Sequence, residues 1–102
     1  MATAQVGDDV FGEDPTVLEL QSRMASLLGK EAGLFVPSGT MSNAIAIRCH
    51  TQPGDEIITE ENSHIYVYEG GGYAALSGCS VALVPSELGI MDISDVESKI
   101  RK

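Results

Sequence analysis

The first regular pattern in the chain lies between residues 15 and 28. Apolar side chains recur there three or four positions apart, and polar side chains fill most of the positions between them. This spacing predicts an amphipathic helix over residues 15–28. Asp14 can cap its start, Pro15 suits the first helical position, and Gly29 suits the position just past the end. Local signals therefore bound this helix on both sides.

Three short apolar runs, each bounded by polar or turn-forming residues, predict buried strands over residues 32–36, 56–59 and 80–84. A helical pattern over residues 41–52 separates the first two runs. A third helix is predicted over residues 65–76, although the glycines at 70–72 should weaken or break it. Asp92 can cap a last short helix over residues 93–100.

Alternating strands and helices predict an α/β fold with a mostly parallel sheet covered on both faces, that is, a partial three-layer sandwich. The order of strand, tight turn, helix and strand over residues 32–59 suggests a βαβ unit. Three strands leave sheet edges that need more chain or a partner. We therefore expect residues 1–102 to form a single incomplete domain.

Composition excludes some partners. Fifteen acidic residues against six basic ones give a net charge of −9, and the basic residues do not cluster, so neither nucleic acid nor an anionic membrane surface is an expected partner. No apolar stretch approaches the roughly 20 residues that span a bilayer, and the start lacks a secretory pattern. A cytoplasmic protein is expected. Cys49 and Cys79 lack zinc-site spacing and are interpreted as reduced, buried packing residues.

Ser38, Gly39 and Thr40 follow the predicted strand over residues 32–36 and open a helix. A helix start offers unpaired N–H groups and the positive end of its dipole, which suits a phosphate group. Gly39 lets a ligand approach the backbone, and the two hydroxyl groups can donate further hydrogen bonds. The common structural alternative is that one of the hydroxyl groups merely caps the helix.

His64 follows the predicted strand over residues 56–59, which places it at the same edge of the sheet as residues 38–40. Its imidazole can lie against a ligand ring or move a proton, and so it is the candidate catalytic residue. The alternative is an ordinary residue at a helix start. His50 lies near the end of a helix, where a structural role suffices.

Two further groups of residues have structural interpretations. The acidic opening over residues 8–14 lacks the alternating oxygen ligands of a calcium loop, so we expect a solvated turn and a helix cap. Tyr66 and Tyr73 are seven positions apart and are expected to share one helix face, as core or subunit contacts.

Four segments together resemble the low-specificity threonine aldolases, in the same order along nearly the whole chain. They are residues 6–16 (VGDDVFGEDPT), 35–43 (FVPSGTMSN), 50–56 (HTQPGDE) and 63–65 (SHI). The resemblance implies an enzyme that depends on pyridoxal 5′-phosphate (PLP) and cleaves L-threonine or L-allo-threonine to glycine and acetaldehyde. It also implies the large domain of the aspartate aminotransferase-like fold, a small β-hydroxy amino acid as substrate, and a homo-oligomer, expected to be a tetramer.

The resemblance also assigns roles to residues. Ser38, Gly39 and Thr40 match the loop that holds the PLP phosphate, and His64 matches the residue that stacks on the pyridine ring. None of this chain's lysines, Lys30, Lys99 and Lys102, matches the family's lysine that bonds the cofactor. We therefore expect a truncated chain that is inactive alone. Two alternatives stay open, namely another fold type I PLP lyase and a non-catalytic truncated paralogue that acts as an interaction module.

Overall fold

The structure, a computed structural model, describes residues 2–102 and divides into two compact units, one up to Pro37 and one from Ser38 to Lys102. Its helices are α1 (Pro15–Leu27), α2 (Gly39–His50), α3 (His64–Val67), α4 (Gly72–Ala75) and α5 (Ile93–Lys99). Its strands are β1 (Glu56–Glu60), β2 (Ser80–Val84), β3 (Ser86–Glu87) and β4 (Ile90–Met91). A short 3-10 helix, Asp9–Phe11, precedes α1.

The first unit is built around α1, which begins at the predicted residue and ends at Leu27, one residue before the predicted end. Asp14 caps its start, and Pro15 is its first residue. At its end Gly29 adopts a left-handed conformation with φ of 63°, and the N–H of Lys30 donates to the Ala25 carbonyl at 2.8 Å. This pairing of the last turn is the Schellman arrangement that stops many helices.

The predicted strand over residues 32–36 is wrong, because these residues form no regular element. Their backbone lies along α1 instead: the Phe35 N–H donates to the side-chain Oε1 of Gln21 at 2.9 Å. At Gly33 an added Cβ would lie 2.9 Å from the Gln21 carbonyl oxygen, so the segment runs close against the helix. The predicted βαβ unit over residues 32–59 is therefore also wrong.

The second unit contains a parallel pair of strands. β1 pairs with β2 in a register that sets Glu56 opposite Ser80 and Glu60 opposite Val84. Parallel strands need a crossover, which α3 and α4 supply, so a βαβ arrangement occurs one step later in the chain than predicted. Val84 at the end of β2 is fully buried. β3 and β4 form a small antiparallel hairpin that the apolar pattern did not predict.

The glycines at 70–72 split the predicted helix over residues 65–76 into α3 and α4, as their composition suggested. Gly70 and Gly71 both adopt left-handed backbone angles, with φ of 62° and 72°. Such angles suit glycine and interrupt a right-handed helix. Tyr66 and Tyr73 consequently lie on different helices rather than on one helix face, and their ring centroids are 6.3 Å apart.

The last helix begins where the sequence predicts, whereas only one of the two cysteines is buried. α5 begins at the predicted cap, where the Asp92 carboxylate accepts from the Ser94 N–H at 2.8 Å. Just beyond α5, Arg101 makes a two-point ion pair with Glu56 of β1.

Cys79 is buried as expected, whereas Cys49 is exposed, so the interpretation of Cys49 as a buried packing residue is wrong. Cys49 lies in the last turn of α2 on its solvent side.

Candidate functional site

The start of α2 is the first part of the candidate site. Ser38 is the N-cap residue, with extended backbone, and its hydroxyl accepts from the Met41 N–H at 3.1 Å. Within residues 2–102 the N–H groups of Gly39 and Thr40 have no hydrogen-bond partner. Both N–H groups lie at the positive end of a 12-residue helix, an arrangement that favours an anion.

The α2 start is open to a ligand. Ser38, Gly39 and Thr40 are all exposed, and a Cβ added to Gly39 would meet no heavy atom within 4 Å. Because the Ser38 hydroxyl uses only its oxygen as an acceptor from Met41, its own proton remains available. The structure therefore shows both the helix cap and the open N–H groups that the sequence posed as alternatives.

His64 is the second part of the candidate site. It is the first residue of α3 and lies four residues after the end of β1 at Glu60. Its side chain is 59% exposed. The Tyr68 ring lies one turn further on, with 5.3 Å between the ring centroids and 42° between the ring planes. This distance is within the range of attractive aromatic pairs, so Tyr68 supports one side of the imidazole.

Glu69 joins these two parts. Its Oε1 accepts from Asn43 Nδ2 of α2 at 2.8 Å and lies 2.8 Å from His64 Nδ1. The Glu69 side chain is only 5% exposed. The hydrogen bond from Asn43, followed by that from His64, lowers the pKa of Glu69 below its ordinary value. The carboxylate is therefore ionised near neutral pH and can only accept hydrogen bonds.

Asn43 lies one turn beyond Gly39, about 6 Å along the helix axis. Through Glu69, the helix that starts at Ser38 is thus held to the residue that starts α3. The sequence predicted a site at Ser38, Gly39, Thr40 and His64, but it did not predict that Asn43 and Glu69 connect them. The one local signal for Glu69 is its position directly before the glycines at 70–72, and those glycines predicted only a break in the helix.

The remaining candidates have structural roles or none. In the acidic opening, the Asp8 and Asp14 side chains accept from backbone N–H groups, so the turn-and-cap interpretation is confirmed. No cluster of three potential metal ligands occurs among residues 2–102. His50 is the exposed last residue of α2, as expected. Across the same residues, no helix has the length and apolar character needed to cross a membrane.

Comparison with known proteins adds to this geometry. The family model described as beta-eliminating lyase matches residues 1–102, the full length of the chain. This chain belongs to the beta-eliminating lyase family. Low-specificity L-threonine aldolase 1 of Arabidopsis thaliana is 47% identical over 99% of the chain. The low specificity L-threonine aldolase of Escherichia coli K12 is 40% identical over 99%. The resemblance to threonine aldolases is confirmed.

A solved structure of another protein has a similar fold. A candidate L-allo-threonine aldolase from Listeria monocytogenes superposes with a TM-score of 0.74 and 23% identity, over 99% of this chain and 30% of that one. This match confirms the α/β fold class, in which the chain corresponds to a fragment of the large domain. The chain likewise spans only 29% and 31% of the lengths of the Arabidopsis and E. coli relatives.

Proposed function

We propose that this beta-eliminating lyase chain is the phosphate-binding and ring-binding portion of a PLP-dependent aldolase. The reaction proposed for the intact enzyme is cleavage of L-threonine or L-allo-threonine to glycine and acetaldehyde. The chain is proposed to be one incomplete domain of that enzyme. A single observation carries the proposal, namely that Glu69 links the helix with two unpaired N–H groups at its start to an exposed imidazole.

The residues at the α2 start fit the phosphate of PLP. The N–H groups of Gly39 and Thr40 provide two donors without a competing partner, and the hydroxyls of Ser38 and Thr40 provide two more. The absence of a lysine or arginine there is no obstacle, because oriented N–H groups and a helix dipole suffice for many phosphate sites. The chain would thus bind the phosphate through its backbone despite a net charge of −9.

His64 is proposed to lie against the pyridine ring and thereby orient it. When bound, PLP supplies an electron sink for the carbanion that forms as a bond to the substrate α-carbon breaks. The chain's own contribution is to hold the phosphate with residues 38–40 and the ring with His64. None of Lys30, Lys99 and Lys102 is proposed to bond the cofactor, so the chain alone is expected to be inactive.

Binding is tested with 4-deoxypyridoxine 5′-phosphate, which has the ring and phosphate of PLP but no aldehyde to react with surface lysines. Equilibrium dialysis is expected to show binding that inorganic phosphate displaces. H64A should weaken binding of the ring compound about fivefold, as for loss of one aromatic contact, without changing phosphate binding. H50A is the matched control and should change neither. Equal effects of H64A and H50A would contradict the role of His64.

Activity is tested at two levels. The purified chain with PLP and L-allo-threonine is expected to release no acetaldehyde above a buffer control, and clear turnover would refute the inactivity claim. A chimera in which this chain replaces the matching 31% of the E. coli relative is expected to release acetaldehyde. A chimera that folds and binds PLP without cleaving either substrate would contradict the aldolase proposal.

A second candidate function is β-elimination by another fold type I PLP lyase. The description of the matching family favours it, because that description names β-elimination rather than aldol cleavage. The proposed phosphate and ring contacts serve either reaction equally. Offering the chimera an amino acid with a leaving group on Cβ, and measuring the 2-oxo acid released, separates the two. The proposed homotetramer and cytoplasmic location stay predictions.

A further inference from the structure

Glu69 makes none of the proposed cofactor contacts itself but bonds to residues on both sides of them. It is almost fully enclosed, at 5% exposure, although it belongs to a segment with exposed residues on either side. Burying a carboxylate is costly unless hydrogen bonds compensate. Here one oxygen, Oε1, accepts from both Asn43 and His64 at 2.8 Å. Glu69 Oε1 is therefore a single acceptor for two donors, one on α2 and one on α3.

The identity of the acceptor determines which nitrogen of His64 carries the proton. An ionised carboxylate has no proton to donate, so the 2.8 Å contact requires an N–H at Nδ1 of His64. In the neutral ring the proton then lies on Nδ1, and Nε2 bears the lone pair. Ordinary exposed histidine has no partner that imposes this choice, so the contact selects one of two tautomers.

We propose that Glu69 is a positioning residue that holds His64 as its Nδ1–H tautomer, with Nε2 free to accept a hydrogen bond or a proton, and ties it to helix α2 through Asn43. The functional part of this inference rests on the proposed function. Because Asn43 lies one turn beyond Gly39, Glu69 sets the ring relative to the proposed phosphate site. Without the Glu69 carboxylate, the His64 ring should no longer be restricted to one tautomer or to one orientation.

The tautomer is measured directly by long-range ¹H–¹⁵N NMR of the ring nitrogens at alkaline pH, where imidazole is neutral. The chain has only two histidines, so His50 is an internal reference in the same spectrum. His50 is exposed and makes no side-chain hydrogen bond within residues 2–102. We expect His64 to be protonated at Nδ1 and His50 mainly at Nε2. Matching cross-peak patterns for the two rings would overturn the proposal.

Variants then test the part played by the carboxylate. E69A should give His64 the pattern of His50, whereas E69Q keeps a side-chain oxygen acceptor and should retain part of the Nδ1–H form. E61A, which removes an exposed acid on the preceding loop, is the control and should leave the pattern unchanged. If E69A does not fold, the spectra of the wild type and of E69Q still test whether Glu69 selects the His64 tautomer. An E69Q spectrum in which His64 equals His50 would count against the Gln rescue and the proposal.

A binding measurement separates this proposal from the proposed function. E69A should weaken binding of 4-deoxypyridoxine 5′-phosphate about fivefold, as expected for loss of one orienting hydrogen bond, with inorganic phosphate unaffected. E69Q should recover part of that loss. A wild-type chain with the expected tautomer but no binding would refute the proposed function and support the positioning of His64. Normal binding together with a His50-like tautomer would refute the role of Glu69.

Discussion

At the start of α1 the chain supplies its own anion, whereas at the start of α2 it does not. The Asp14 carboxylate is 9% exposed and accepts from the N–H groups of Thr16 and Val17 at 3.0 Å and of Gly7 at 3.2 Å. Ser38 is exposed, neutral and satisfies one N–H group. A helix start completed by its own carboxylate is structural, while one with a neutral cap retains its capacity for an external anion.

The largest effect is expected from placing an anion at the open start. S38D supplies a carboxylate that caps the helix as well as serine does but repels a phosphate group. We expect the dissociation constant for 4-deoxypyridoxine 5′-phosphate to rise at least ~30-fold, with the melting temperature unchanged. Equilibrium dialysis and thermal unfolding measure the two quantities.

S38N is the matched control for S38D, because asparagine has the same shape and also caps well, but carries no charge. It should change the dissociation constant far less. Equal weakening by S38D and S38N would mean that shape rather than charge matters at this position. The proposed difference between the α1 start, which is completed by the chain's own anion, and the α2 start, which is open to a ligand anion, would then be contradicted.

The converse change, at the closed start, should affect stability and not binding. D14A removes the acceptor for three N–H groups, so we expect the melting temperature to fall by roughly 4–8 °C. Phosphate affinity should stay as in the wild type. D9A, which removes an exposed neighbouring acid, is the control. A D14A chain that melts like D9A would show that Asp14 does not hold the start of α1.

The smallest effect is a pH dependence at the same closed start. Hydrogen bonds from the backbone N–H groups of Val17 and then Gly7 lower the pKa of Asp14. Its ionised form therefore adds stability above the unfolded-state pKa of about 3.9, and this contribution is lost as the pH falls through the lower folded-state pKa. D14N caps without a charge, so urea unfolding should show a wild-type advantage at pH 7 that narrows below about pH 4.

A gap between wild type and D14N that stays constant down to pH 3 would contradict the assignment of this pH dependence to Asp14. The open start offers an internal comparison, because Ser38 does not titrate in this range. Wild type and S38N should therefore differ in stability by the same amount at pH 7 and at pH 3. Urea unfolding of all three proteins at both pH values completes the comparison.

The capped helix starts were the most predictable features of the fold, because each is decided by nearby residues. Asp14, Ser38 and Asp92 all accept from an N–H group two or three residues later, so a short window of sequence contains both partners. The same locality explains why the break at Gly70 and Gly71 was foreseen. The functional hypotheses at residues 38–40 likewise depended on a helix start that the local sequence specifies.

Strands were predicted less well, because an apolar run becomes a strand only where it finds a partner. The run over residues 80–84 forms the predicted strand and pairs with β1 along its whole length. The equally apolar run over residues 32–36 pairs with no strand, and one of its N–H groups bonds a glutamine side chain of α1 instead. Local pattern is the same in both cases, so it does not distinguish them.

The sequence by itself predicted where α1 and α5 begin and placed the start of α2 next to residues 38–40, because capping acts over two or three residues. Only the tertiary structure decided that Glu69 holds Asn43 and His64. Asn43 and Glu69 are 26 positions apart, and no short-range pattern specifies which distant donors will share one carboxylate oxygen. That choice follows from the packing of α2 against the segment between β1 and β2.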